Sequence, residues 1–332
     1  MNHIQSTLSQ LNLGQAQSFA NMTLFPLITA RAEAPDYLVL EEALLQQVGQ
    51  VTEISEGGSV PELAFENNAR ERVLLVDGEQ LIGARQNRIL NISILVPAGK
   101  KLTIPVSCCE QGRWGYTGAR AFSTSRSSLF SSAKARKMMQ VSASMKSRGD
   151  HRSDQHEIWR DIAMKSASLG AHSDTSAMED VYAQQQQRIE SYVTAFKLVP
   201  GQSGALVAQD GNVVGLELFD SPATFARFFD KLLKSFALDA IDVRQPVDAV
   251  PAAEIARGFI ARLMASSAET FAALGDGEDV RLQGADVVAG ALVADGRVRH
   301  LAGFRTAGLD EESASWRARK VHSQRFGRDG VR

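Results

Sequence analysis

Residues 204–236 read GALVAQDGNVVGLELFDSPATFARFFDKLLKSF and decide the fold class. Two apolar runs, 204–208 and 213–219, flank an Asp-Gly pair, which between such runs is typical of a tight antiparallel hairpin. Ser221 then precedes Pro222, which pairs a helix N-cap with a proline in the first turn. The phenylalanines and leucines that follow recur on one helical face, as in a helix packed on a core. Segments of this kind indicate an α+β fold rather than alternating βαβ units.

The same separation of strands and helices extends along the chain. Short apolar runs divided by turn residues fill 19–117 and predict a β-rich N-terminal part with a mixed or antiparallel sheet. Helical periodicity follows at 154–168 and 175–196, and another helix is predicted from 251 to about 274. Strands return at 280–304. We therefore expect central and C-terminal helices between two groups of strands.

We expect a single domain over residues 19–306, in which 153–306 mixes helices and hairpins. Beyond the domain, over 307–332, apolar periodicity ends and charged residues dominate. Such a segment buries too little apolar surface to offset the entropy lost on ordering. A disordered charged tail is therefore predicted.

Residues 118–152 form a basic, Ser-rich stretch. Counted from Arg113 to Arg152, nine Lys or Arg residues stand against one acidic residue, Asp150. This composition predicts a mobile loop with one helical piece at about 131–146, placed to act as a lid. Nucleic-acid binding through this stretch would be strongly salt-dependent. It is disfavoured because few aromatic side chains could stack on bases and the chain carries a net charge of −2.

The composition also excludes several classes of protein. The 36 basic and 38 acidic residues nearly cancel, so no global field favours nucleic acid or an anionic membrane. Cys108 and Cys109 are neighbours and can rarely bridge each other, so we expect reduced thiols and a cytoplasmic location. No secretion signal or membrane span is apparent. We expect no metal and no nucleotide cofactor, because CxxC, HExxH and glycine-rich phosphate-loop patterns are missing from the sequence.

The polar residues most able to carry chemistry lie between Asp77 and Trp114. They are interleaved with strand-forming runs, so several must lie in or beside a sheet. There, burying an unpaired charge costs several kcal/mol of folding free energy. Such charges need partners or a ligand. The candidate ligand-binding residues are Asp77, Gln80, Arg85, Gln86, Asn87, Arg88, Asn91, Cys108, Arg113 and Trp114.

This inventory favours an anionic, hydroxyl-bearing small molecule. Arg85, Arg88 and Arg113 offer forked donors that suit phosphate or carboxylate, while the amide side chains can orient the ligand and the indole can stack on a ring. Glu79 and Glu110 are candidate catalytic residues, acting as acid and base if their surroundings separate their pKa values.

A structural explanation competes with this one. Asp77, Glu79 and Glu110 could pair with the three arginines and form a buried polar network without a ligand. For Cys108, a nucleophilic role needs a nearby base, and all six histidines lie outside the stretch. A buried, inert thiol is therefore favoured at Cys108.

The sequence resembles a known family at several of these positions. The matching segments and residues are VPEL (60–63), LVDGEQ (75–80), GARQNRILN (83–91), IPVSC (104–108), Glu110 and GRW (112–114), followed by Ser153 to Gln155, Trp159, Gly277 to Arg281 and His300. They are similar to the bacterial ARG-and-rhodanese-phosphatase-superfamily-associated protein domain. In that family the residue after the matched cysteine is usually not cysteine, so Cys109 argues against a vicinal-thiol mechanism.

The resemblance implies one continuous domain over about 19–306. It also implies association with ADP-ribosylglycohydrolase-type and rhodanese-phosphatase-type partners, and hence the handling of ADP-ribose or related phosphorylated sugars. Our first hypothesis is a domain that binds, and could act on, a small phosphorylated ligand. The alternative is a non-catalytic interaction or scaffold domain that recruits a protein partner.

Overall fold

The computed structural model describes residues 3–29, 34–55, 57–115, 121–243 and 251–309. Its helices are α1 (His3–Ser9), α2 (Leu40–Leu45), α3 (Ser131–Arg148), α4 (Gln155–Ser168), α5 (Met178–Gln184), α6 (Gln186–Ala195), α7 (Pro222–Ala240) and α8 (Ala253–Ala265). Its strands are β1 (Asn12–Leu13), β2 (Gln17–Phe19), β3 (Met22–Ile28), β4 (Tyr37–Val39), β5 (Gly49–Glu53), β6 (Glu62–Asn67), β7 (Arg72–Leu75), β8 (Glu79–Gly83), β9 (Arg88–Leu90), β10 (Ile94–Val96), β11 (Lys101–Cys108), β12 (Phe122–Ser128), β13 (Gln202–Gln209), β14 (Asn212–Phe219), β15 (Ser267–Ala272), β16 (Glu278–Gln283), β17 (Val287–Ala294) and β18 (Arg297–Arg305).

The hairpin and helix predicted from residues 204–236 are confirmed. Asp210 and Gly211 connect β13 to β14 with φ of 49° and 78°, the left-handed pair that a tight hairpin turn requires. The Ser221 side chain accepts a hydrogen bond from the backbone N–H of Ala223 and caps α7.

The fold is α+β, as predicted. Nine strands form one antiparallel sheet in which β1, β3, β13, β14, β18, β17, β16 and β15 follow one another and β2 pairs with β3. We call this the large sheet. The N-terminal region supplies a six-stranded sheet, in the order β12-β8-β9-β11-β6-β5, and a three-stranded sheet, β10-β7-β4. The pair β4 and β7 is parallel, so the N-terminal strands are mixed.

The C-terminal helix is shorter in the structure than predicted. The helix predicted from 251 to 274 ends at Ala265, and β15 occupies 267–272 instead. This strand pairs with β16 through its full length, so tertiary pairing overrides the helical spacing of its few apolar residues.

Three hydrophobic cores hold the layers together. One face of the large sheet packs on α1 and α8, and its other face packs on the helices from α3 to α7. The third core lies inside the N-terminal sheets and includes Val141 and Met145 of α3. Met138 of the same helix belongs to the core of the large sheet. Helix α3 therefore lies between the large sheet and the N-terminal sheets.

The helical piece predicted at about 131–146 is confirmed as α3, but the mobile loop predicted around it at 118–152 is wrong for the described part of that stretch. β12 and the 18-residue helix α3 occupy most of it. Lys134, Arg136 and Lys137 are buried in α3, where each faces a carboxylate of another element: Glu217, Asp161 and Asp77. These three basic residues therefore face the interior, whereas Arg126, Lys146, Arg148 and Arg152 face the solvent.

Some predictions concern residues that the structure does not describe. The tail after residue 309 lies outside the described residues, and so does 116–120. Within the described chain, no helix is long and apolar enough to cross a membrane. The single domain over 19–306 stays a prediction.

Candidate functional site

The turn that joins β8 to β9 positions most of the predicted site. Gly83 has φ 132°, and a Cβ atom there would lie 2.7 Å from the carbonyl oxygen of Ala121, so the position requires glycine. Ala84 follows at φ 42°, a left-handed conformation that alanine rarely adopts. The turn brings residues 85–88 into contact with residues 108–114, at and beyond the end of β11.

The structure therefore assembles most of the predicted residues in one place, which we call the Arg88 cluster. Its members are Arg85, Gln86, Asn87, Arg88, Cys108, Glu110, Arg113 and Trp114. Four other predicted residues, Asp77, Glu79, Gln80 and Asn91, lie outside this cluster.

Glu110 and Arg113 form a bidentate ion pair within the cluster. Nη2 and Nε of Arg113 lie 2.6 and 2.9 Å from the two carboxylate oxygens. The backbone N–H of Asn87 and the hydroxyl of Thr175 donate to the same carboxylate at 3.1 and 2.9 Å. These contacts satisfy the carboxylate inside the protein, as the structural explanation predicts for this pair.

The hydrogen bonds to Glu110 also set its pKa. Burial acts to raise the pKa, but donation from Arg113, Asn87 and Thr175 outweighs burial, and the pKa lies below its ordinary value of 4.5. A carboxylate whose pKa is lowered on folding stabilises the fold above its ordinary pKa. That contribution is lost as the pH falls through the lowered value.

We expect Glu110→Gln to lower the free energy of unfolding by about 2–3 kcal/mol at pH 7, because it leaves the Arg113 guanidinium without its carboxylate. The difference from wild type should shrink as the pH falls below 4.5. Urea unfolding over this pH range measures both effects. Glu66→Gln is the control, since this exposed carboxylate lies 3.7 Å from Lys101. A difference that stayed constant with pH would contradict the assignment.

Arg88 has the least usual surroundings in the cluster. Its side chain is fully buried, and its Nη1 donates to Gln86 Oε1 at 3.1 Å and to the carbonyl oxygen of Asn87 at 3.4 Å. Among the described residues, no carboxylate lies within ion-pair distance, and Nε and Nη2 have no hydrogen-bond partner. A buried guanidinium without a counter-charge costs about several kcal/mol. The arrangement therefore favours an anionic ligand.

Cys108 lies beside this guanidinium. Its Sγ is 3.1 Å from Gln86 Oε1, the oxygen that Arg88 also contacts, and 3.0 Å from the carbonyl oxygen of Glu110. Burial raises the pKa of Cys108, although the charge of Arg88 acts to lower it. A raised pKa favours the protonated thiol, which can donate its one proton to either oxygen, and this agrees with an inert role. Cys108 and Cys109 are both free and buried.

Trp114 covers the Arg88 guanidinium. The Cζ atoms of Arg85 and Arg88 each lie 5.7 Å from the centre of the indole ring, within the range of a cation–π contact. The indole is 47% exposed, whereas Arg88 has no exposed surface. A Cβ atom on Gly58 would lie 2.9 Å from Arg85 Cδ, so Gly58, between β5 and β6, packs closely against the Arg85 side chain. Movement of the indole would open a path to Arg88.

Asp77 and Asn91 belong to a second polar group, around Lys137. The buried Lys137 ammonium pairs with the Asp77 carboxylate and donates to the backbone carbonyls of residues 90 and 91 at 3.2 and 2.9 Å. The Asn91 side chain donates to the carbonyl oxygen of His151 at 3.0 Å and accepts from Ser107 at 2.7 Å. This group joins α3 to the N-terminal sheets, and the Asp77 carboxylate pairs with Lys137 and not with an arginine of the Arg88 cluster.

Glu79 and Gln80 are buried on β8. Glu79 accepts a hydrogen bond from the backbone N–H of Val76 at 3.0 Å and lies 3.5 Å from Lys231 Nζ. Burial raises the pKa of Glu79 against the effect of Lys231. Its pKa thus moves in the opposite direction to that of Glu110, but the two carboxylates share no partner. Their joint acid–base role stays a prediction.

Sequence reasoning did not predict a third polar group, which connects α3 to the large sheet. Lys134 Nζ lies 2.7 Å from one oxygen of Glu217, and the other oxygen lies 3.3 Å from His300 Nε2. His300 Nδ1 lies 2.8 Å from Ser93 Oγ, which also accepts from the backbone N–H of Asp77 at 2.9 Å. The one signal in the sequence is a charged residue between leucines, Glu217, at a position where a buried strand residue is expected.

Sequence reasoning also left out Gln155, the first residue of α4. Its side chain accepts from the backbone N–H of Cys108 and donates to the carbonyl oxygen of Cys108, both at 2.7 Å. This two-way contact replaces a neighbouring strand at the end of β11. It holds α4 against the Arg88 cluster.

The fold and the site define an α+β protein with a buried basic cluster at the end of an antiparallel sheet. Within the described residues, no group of three or more His, Cys, Asp or Glu side chains could hold a metal ion. The chain belongs to the ARG and Rhodanese-Phosphatase-superfamily-associated Protein domain family, whose profile matches residues 10–304. The resemblance noted from the sequence is thereby confirmed. Comparison with curated proteins and with solved structures found no match.

Proposed function

We propose that this protein binds a small phosphorylated molecule at the Arg88 cluster. The observation that supports the proposal most directly is the fully buried Arg88 guanidinium, with Nε and Nη2 unpartnered among the described residues. Phosphate oxygens can accept from two N–H groups of one guanidinium at the same time. Such an anion would supply the counter-charge that the described protein residues do not.

The surroundings of Arg88 suggest how a ligand is held. Arg85 lies against the same indole and adds a second positive charge, while Trp114 offers an aromatic face to a base or a sugar ring. Arg113 was predicted as the third phosphate ligand, but its bidentate pair with Glu110 gives it a positioning role in the proposal. Because Trp114 covers Arg88, ligand entry requires the indole to move.

The ligand class that we propose is nucleotide-related or ADP-ribose-related. Two features support it: an indole beside two guanidinium groups, and the family description, which refers to ARG and to a rhodanese-phosphatase superfamily. We propose binding and not catalysis, because Glu110 is held as an ion pair and Cys108 stays a protonated thiol.

A thermal-shift and indole-fluorescence titration tests the proposal. The probes are ADP-ribose, ADP, ribose 5-phosphate and inorganic phosphate. At least one phosphorylated probe should raise the melting temperature and change the fluorescence. Arg88→Met should weaken its binding by about 10–100-fold, the equivalent of losing charge-assisted hydrogen bonds.

Trp114→Ala distinguishes an effect on ligand binding from an effect on folding. The indole is half-exposed, so its removal should change the free energy of unfolding little. It should weaken the same probe and remove the fluorescence change. Phe19→Ala, at a partly exposed aromatic residue on β2, is the matched control and should bind normally. If none of the probes binds wild-type protein, the proposal fails and the interaction domain that recruits a protein partner becomes the better hypothesis.

A further inference from the structure

A cleft of about 540 Å³ lies at the start of α3, beside the C-terminal half of α4. Its walls come from α3, α4, the β13–β14 hairpin, the end of α7 and the residues after β18. This volume lies within the range of small-molecule pockets. None of its lining residues belongs to the Arg88 cluster.

Five of the charged side chains in the wall of the cleft form ion pairs with one another, while Asp210 accepts from Asn21 and Arg305 donates to Asn212. Arg136 Nε lies 2.9 Å from Asp161 Oδ2, and Lys165 Nζ lies 2.7 and 2.6 Å from carboxylate oxygens of Asp239 and Asp242. The Asp239 carboxylate also accepts from the N–H and hydroxyl of Ser132, at 2.7 and 2.9 Å, and so caps α3. Four carboxylates and three cations line the cleft, so the two signs nearly balance, and neither a strong anion nor a strong cation is favoured.

One carboxylate oxygen of the lining residues has no hydrogen-bond donor in the described part of the chain. Asp161 is 1% exposed, and its Oδ1 has no hydrogen-bond donor among the described residues, although Oδ2 is bonded to Arg136. Burial raises the pKa of Asp161. A buried carboxylate oxygen without a donor is costly, so a ligand that brought a hydroxyl to this atom would gain from it.

The cleft also has an apolar side. Phe130, Ala135, Met164 and Leu309 contribute to its lining beside the paired charges. Sugar rings present C–H faces to apolar side chains and hydroxyl groups to polar ones, so a mixed wall of this kind matches their surface.

We propose that this cleft binds a small neutral polyhydroxylated molecule, such as an aldose, with one hydroxyl donating to Asp161 Oδ1. The charge balance disfavours ions, the unpartnered carboxylate oxygen requires a donor, and the apolar wall accepts a ring. A cationic amine would meet Arg136 and Lys165, and an organic anion would meet Asp239 and Asp242. This site is separate from the proposed phosphate site and does not depend on it.

Saturation-transfer NMR on the full-length protein, with D-ribose and D-glucose as probes at millimolar concentration, tests the proposal. At least one sugar should receive saturation from the protein. Ser168→Trp places an indole at the mouth of the cleft and should abolish the signal. Ala163→Trp is the matched control, because Ala163 is exposed on the same helix but does not line the cleft, and it should keep the signal.

Two further variants complete the test. Asp161→Asn should weaken the sugar about tenfold or more, since it replaces the carboxylate that accepts the hydroxyl. Arg88→Met should leave sugar binding unchanged, which separates this site from the phosphate site. The proposal is overturned if neither sugar binds, if the signal survives Ser168→Trp, or if ethanolamine binds in the cleft and the sugars do not.

Discussion

Asp77→Asn should lower the free energy of unfolding by about 3–5 kcal/mol, one of the two largest effects that we expect. The substitution removes the carboxylate from a fully buried ammonium group, Lys137, whose remaining partners are two backbone carbonyls. Burial already acts to lower the pKa of Lys137, and Asp77 opposes it, so the lysine loses its main electrostatic support. Urea unfolding at pH 7 measures the change.

A double-mutant cycle separates the ion pair from the rest of the site. Lys137→Met alone should also destabilise, because it leaves the Asp77 carboxylate in a buried position. The double variant should recover part of the loss, since replacing both members of a buried ion pair with neutral groups is often tolerated. Removing Lys101, which lies 3.7 Å from Glu66 on the surface, is the control and should cost less than about 1 kcal/mol. Additive single effects would contradict a direct Asp77–Lys137 interaction.

The second large effect has opposite signs at two buried arginines. Arg88→Met should raise the free energy of unfolding by about 1–3 kcal/mol, because it removes a buried charge that has no carboxylate partner. Arg299 is equally buried, but it bonds to Asp36, Asp220 and Asp295 at 2.6–3.3 Å. Arg299→Met should therefore lower the free energy of unfolding by about 3–5 kcal/mol.

The comparison between these arginines matters for function. A residue that destabilises the free protein yet binds a ligand is a common trade-off at functional sites. If Arg88→Met were as destabilising as Arg299→Met, Arg88 would be a structural residue and the phosphate site would lose its main support. Urea midpoints of the two variants, compared with wild type without ligand, decide the question.

The sequence predicted much of the candidate site because its parts are close along the chain. β8, β9 and the end of β11 are neighbours in one sheet, so residues 83–91 and 104–114 meet by local strand pairing. The turn residues and the strand pattern carry this information. The same locality explains why Glu110 and Arg113, three positions apart, could be expected to pair.

Partners from distant elements could not be predicted in this way. Lys137 lies 60 positions from Asp77, and His300 lies 207 positions from Ser93. A basic, Ser-rich stretch has the same composition whether its charged side chains face water or a carboxylate of another layer. For that reason the sequence indicated the helix at about 131–146 but placed it in a solvated loop, whereas α3 buries Lys134, Arg136 and Lys137.

The sequence by itself determined the α+β class, the turn at Asp210–Gly211, the capped start of α7 and the family. Each depends on backbone preferences or on short sequence motifs, which act over a few positions. Only the tertiary structure decided which charges are satisfied, so that Arg113 is paired with Glu110 while Arg88 is buried without a carboxylate. The reason is that the energy of a buried charge depends on through-space distances and on exclusion of water, and both are set by how the layers pack.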